Sequence, residues 1–109
     1  MNTAQTEDPI LRDFLNRIDG IRPQIRRLVL FGSRARGDYR LESDYDILVL
    51  VERKDPALRD SLYDAVMDVL LGHGRLISLK IFTEAEFSRL TALKTPFMAR
   101  VAEEGKVIG

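Results

Sequence analysis

Apolar residues along this chain switch between two periods, and the switches mark out the elements. Ile10, Leu11, Phe14, Leu15 and Ile18 recur at helical spacing. Asp8-Pro9 ahead of them reads as an N-cap followed by proline at the first helical position, and Gly20 is placed to end the helix. Pro23 forbids simple continuation, which leaves residues 21–26 as a connector or a short second turn. Residues 28–31 form a short buried strand, and a second apolar run, opening with Asp44 and Asp46, continues to Val51. Asp55-Pro56 repeats the start signal for a helix whose stripe is Leu58, Leu62, Ala65, Val66, Val69 and Leu70, with Gly72 as its stop. Residues 76–82 alternate as a third strand, with Ile77, Leu79 and Ile81 on one face and Ser78 and Lys80 on the other. Thr83 and Glu86 make a capping box for a short helix carrying Phe87 and Leu90. Thr95-Pro96 opens a last helix with Phe97, Met98 and Val101, and Gly105 ends it. Val107 and Ile108 either add a short edge strand or simply pack.

This order predicts an α/β (α+β) fold, a small sheet with helices on one face and the other face open. No repeat or linker divides the 109 residues, so residues 1–109 read as a single domain. Composition narrows the function classes. Seventeen basic and seventeen acidic residues cancel, so there is no strong direct nucleic-acid signal and no field toward an anionic membrane. There is no cysteine, which excludes disulfides, thiolate chemistry and cysteine-based metal sites. The polar, acidic N-terminus is neither a signal nor a transit peptide, and no window reaches membrane-span length, so the expected location is cytoplasmic.

The chemistry concentrates in residues 28–51. A strand ends in Gly32-Ser33, an arginine-rich turn follows, and Asp44 and Asp46 open the next strand. The glycine spacing of Gly32 and Gly37 resembles a P-loop, but Asp38 and Tyr39 stand where that loop needs Lys and Ser or Thr. What remains is a glycine that lets backbone N–H groups approach an anion, with a serine hydroxyl beside it. A short helix starting in residues 33–36 would add partial positive charge, and Arg34 and Arg36 supply cations nearby. Asp44 and Asp46, two residues apart, share a strand face with Cα atoms roughly 6.5 Å apart, and Ser43 braces the turn. Paired carboxylates beside a glycine loop suit one or two Mg²⁺ ions serving a phosphate substrate. The bland readings are an ordinary turn for Gly32-Ser33, and cap and salt-bridge chemistry with Arg34, Arg36 or Arg40 for the two acids. His73, between Gly72 and Gly74, reads as a solvated loop residue, and Tyr39, Tyr45 and Tyr63 read as packing residues.

Taken together, Gly32-Ser33-Arg34-Ala35-Arg36-Gly37 followed by Ser43-Asp44-Tyr45-Asp46 resembles the signature of the minimal nucleotidyltransferases of the DNA polymerase beta-like superfamily. The resemblance extends over the whole chain in element order. It implies a mixed sheet of the nucleotidyltransferase fold, a nucleoside triphosphate at Gly32 and Ser33 with Arg36 contacting phosphate, and Mg²⁺ held by Asp44 and Asp46 as metal ligands and catalytic residues. It also implies a HEPN-type protein partner in a toxin–antitoxin pair, with transfer of AMP from ATP to a partner hydroxyl. The chain departs from the family at one place: Ser78 and Lys80 stand on the strand where active members carry a third carboxylate. Two alternatives follow, a binding module that neutralises its partner without turnover, and a small-molecule nucleotidyltransferase whose site is completed in a homo-oligomer.

Overall fold

Four helix starts are fixed by contacts that span no more than three residues. In the computed structural model, which describes residues 2–3, 8–37 and 44–109, Asp8 caps α1 (Pro9–Arg17). Its carboxylate accepts from the N–H groups of Ile10 and Leu11 at 2.8 and 3.3 Å. Asp55 caps α3 (Pro56–His73), accepting from the Ala57 N–H at 3.0 Å. Thr83 and Glu86 close the expected capping box on α4 (Glu84–Leu93), and Thr95 caps α5 (Pro96–Glu104) by accepting from the Met98 N–H at 3.2 Å. Each such cap stabilises its helix by about 1 kcal/mol. A single turn, α2 (Ser33–Arg36), lies between the first two long helices.

The expected stops are less accurate. α3 runs through Gly72 and ends at His73, because Gly74 takes the left-handed conformation that closes the helix, with its N–H on the Leu70 carbonyl. His73 is therefore helical rather than a loop residue, and its Nε2 lies 3.0 Å from an Asp13 carboxylate oxygen on α1. That partner, distant in sequence, is what the local pattern could not supply. The readings placed on Asp38, Tyr39, Arg40 and Ser43 lie outside the described residues.

Among the described residues five strands form one mixed sheet in the order β1-β5-β2-β3-β4. They are β1 (Asn2–Thr3), β2 (Ile25–Phe31), β3 (Tyr45–Val51), β4 (Ile77–Thr83) and β5 (Lys106–Val107). β3 pairs antiparallel with β2 and parallel with β4. β5 is not an edge strand, as the sequence suggested, but lies between β1 and β2. β2 begins before its apolar run because the exposed Arg26 and Arg27 belong to the strand and hide it from a hydrophobic scan.

One face of the sheet packs Leu28, Leu30, Ile47, Val49 and Ile77 against α1 and α3, with Phe14, Leu62 and Val69 fully enclosed. The layering is fuller than helices on one face alone. Val101 of α5 is buried against Val29, Leu48 and Leu50 on the opposite face, with Phe87 and Phe97 packed beside it. The Phe97 ring meets Phe31 edge-on at 5.4 Å and Phe82 at 6.4 Å. At the end where β2 finishes and β3 starts, that face is less covered, and Asp46 there is only half-buried.

Candidate functional site

At that end the register sets three residues side by side across the sheet. Asp46 pairs with Phe31 of β2 on one side and with Ser78 of β4 on the other. Two residues further along, Leu48 pairs with Lys80. Period-two alternation thus sends Asp46, Ser78 and Lys80 to one face, while Tyr45, Ile47, Ile77 and Leu79 enter the core on the other. The sequence reading of β4 stands: its outward residues beside Asp46 are a serine and a lysine.

Gly32 follows Phe31 directly and brings its backbone against Asp46. Its φ is +77°, and a Cβ built there would lie 2.5 Å from Asp46 Oδ2. Only glycine fits on both counts, since a side chain would be strained at this φ and would collide with the carboxylate. The Gly32 carbonyl accepts from the N–H groups of Ala35 and Arg36, both at 3.1 Å, which turns the chain into α2 with Ser33 as its first residue. Ala35 is buried and anchors that turn.

Asp44 immediately precedes β3 and is exposed, and Asp46 is half-buried behind it. Burial, reinforced by the charge of Asp44, raises the Asp46 pKa above the ordinary carboxylate value. Lys80, Arg100 and Arg36 pull in the opposite direction without overcoming it. The structure therefore brings together Gly32, Asp44, Asp46, Arg36 and Lys80. The Arg36 guanidinium also lies 3.0 Å from Glu104 at the end of α5, which holds its head close to the site.

Arg100 escaped the sequence reading. It lies three residues after Phe97 and four before Glu104, on the same face of α5, so a helical projection carried the signal. Tyr45 also does more than pack. Its hydroxyl donates to Asp8 at 2.7 Å, and the Arg34 guanidinium lies 4.3 Å from its ring centre, so the residue between the two acids is tied to the cap of α1.

A divalent cation fits the donor set. Asp44 and Asp46 offer hard oxygen atoms whose mutual repulsion such an ion would relieve, and Mg²⁺ commonly takes one or two carboxylates and completes its shell with water and phosphate. Among the described residues no group of three or more His, Cys, Asp or Glu forms a fuller metal cage. Nor is any helix among them long and apolar enough to cross a membrane.

The family model described as "Polymerase beta, Nucleotidyltransferase" matches residues 15–109. A Methanocaldococcus jannaschii relative, named "Putative protein adenylyltransferase MJ0604", is 33% identical over 103 residues, covering 94% of this chain and 97% of the relative. Two solved structures share the fold at lower identity. One is a toxin–antitoxin with AMP-PNP, with a TM-score of 0.55, 21% identity, and coverage of 94% of this chain and 72% of that one. The other is a mutant of the toxin–antitoxin MntA-HpeT, with a TM-score of 0.56, 23% identity, and coverage of 97% and 73%. On the extent of the family match and the near full-length archaeal relative, this chain belongs to the polymerase beta nucleotidyltransferase family.

Proposed function

We propose that the chain transfers AMP from ATP to a hydroxyl of a partner protein, as the antitoxin of a pair whose toxin is a HEPN-type protein, in the cytoplasm. The observation that carries this reading is the seat of Asp46, a raised-pKa carboxylate beside Asp44, with the Gly32 backbone pressed against it. On this reading Gly32 and Ser33 grip the triphosphate through backbone N–H groups, and Arg36 contacts a phosphate. Asp44 and Asp46 hold Mg²⁺. When bound, the metal screens the triphosphate and stabilises charge on the departing pyrophosphate. The acceptor oxygen bonds to the α-phosphorus as the α–β bridging bond breaks, and the acceptor's proton passes to solvent. The name of the Methanocaldococcus jannaschii relative supports a protein acceptor, and the toxin–antitoxin neighbours support a partner protein.

One observation favours a second reading. Ser78 and Lys80 supply no carboxylate to the face that carries Asp46. A chain without a base there neutralises its partner by binding alone. Labelled ATP, incubated with the purified chain and its co-encoded partner, separates the two. Transfer places label on the partner, and Asp44→Asn removes it. An unlabelled partner, silenced in a stable complex, would sink the enzyme and leave the binding module.

A further inference from the structure

A largely apolar concavity lies away from the acids. A groove of about 430 Å³ runs between the N-terminal half of α3 and the edge strand β4, its floor Val51, Leu58, Leu62 and Ile81, with Lys54, Asp55 and Arg59 also lining it beside Tyr63. Tyr63 also begins an exposed ridge. Tyr63, Met67 and Leu71 follow one another at four-residue intervals along α3 and are 40%, 50% and 79% exposed. The Arg59 guanidinium lies 5.4 Å from the Tyr63 ring centre and braces it at the groove's rim. Scattered exposed apolar residues are ordinary, but a row of three in line, continuous with an apolar groove, is a contact surface.

The other side of the ridge states what covers it. Asp60, Asp64 and Asp68 each precede a ridge residue by three positions, so a row of carboxylates runs alongside the apolar row. Arg17 of α1 takes Asp68 at 3.4 Å, whereas Asp60 and Asp64 hold no ion pair among the described residues. A second copy of this chain, paired antiparallel through α3, fits poorly. In an antiparallel two-fold pair of α3 helices the same edges meet, setting the aspartates of one copy against those of the other.

We propose that the ridge and groove dock an amphipathic helix of a different protein, with apolar residues at helical spacing and lysine or arginine along one edge. Its apolar side chains enter the groove and pack on Met67 and Leu71, and its basic edge meets Asp60 and Asp64. None of these residues belongs to the Gly32–Asp46 site, so this surface stands or falls separately from the proposed chemistry.

The probes are two labelled 20-residue helical peptides with the same leucine stripe, one with an arginine edge and one with a glutamate edge. Fluorescence anisotropy is read against the purified chain. The arginine-edged peptide binds one to one and at least tenfold more tightly than its glutamate counterpart. Met67→Asp with Leu71→Asp weakens it at least tenfold, while circular dichroism and thermal melting show the fold retained. Asp60→Lys with Asp64→Lys reverses the edge preference, which a merely sticky surface would not do. Equal binding of the two peptides overturns the proposal, as does no binding at millimolar concentration or indifference to the ridge variant. So does light scattering that shows a dimer dissolved by Met67→Asp.

Discussion

Along β3, Tyr45, Ile47, Val49 and Val51 turn toward α1 and α3, whereas Asp46, Leu48 and Leu50 turn toward the side that carries α4 and α5. The first set is uniform and enclosed. The second is divided: Leu48 and Leu50 lie under aromatic and aliphatic side chains of α4 and α5, but Asp46, two residues earlier, is half-buried and lies outside that cluster. One alternating heptapeptide thus builds a core layer on one face, and half a core and half a site on the other. Stability and chemistry are separated by direction rather than by distance, so they can be attacked one at a time.

The largest expected effect falls on the enclosed face. Phe14→Ala removes a fully buried ring between α1 and the sheet, and the expected loss is about 3–5 kcal/mol. Guanidinium denaturation measures it, and a loss below about 1 kcal/mol would mean that this face is not the core it looks to be. Next comes the proposed chemistry. Asp44→Asn, exposed and outside either core, lowers AMP transfer on the order of 10²–10³-fold with unfolding midpoints unchanged, read as labelled partner per minute. Transfer at the normal rate by this variant would mean that Asp44 has no part in the chemistry.

Gly32→Ala tests the join between the two. The left-handed backbone and the approach to Asp46 Oδ2 together are expected to cost about 2 kcal/mol and to displace the carboxylate, so stability and transfer fall together. A variant that loses neither would contradict the close approach.

The smallest effect concerns pH. Folding raises the Asp46 pKa above its ordinary 3.8, so the folded chain holds this proton more tightly than the unfolded one. The group's contribution is intact below pH 3.8 and is lost as pH rises through the raised value. In metal-free protein, Asp46→Asn is therefore more stable than the native chain at neutral pH, by on the order of 1 kcal/mol or less once solvent screening is allowed for. Thermal melts across pH show this advantage vanishing below the ordinary carboxylate range, and an advantage that persists there refutes the linkage.

Much of this architecture is legible without coordinates because its signals are short. Asp8, Asp55, Thr83 and Thr95 act on N–H groups two or three residues away, so a cap can be read wherever it stands. Alternation in β4 likewise fixes that Ser78 and Lys80 share a face, because the side-chain period of a strand is two. The spacing of Gly32, Asp44 and Asp46 is enough to nominate the site. Other features are set by residues far apart in the chain. His73 ends a longer α3 beside Asp13, β5 lies inside the sheet, and α5 covers the second face while delivering Arg100 toward Asp46.

The sequence by itself determined where helices begin, which strand residues share a face, and that two acids stand near a glycine turn. These follow from contacts within one turn of helix or one strand repeat. Only the tertiary structure decided that the Gly32 backbone presses on Asp46, that Ser78 is its cross-strand neighbour, and that α3 carries an uncovered ridge. Those depend on strand order and helix docking. They are selected by burial of the whole apolar set at once, a sum no local window contains.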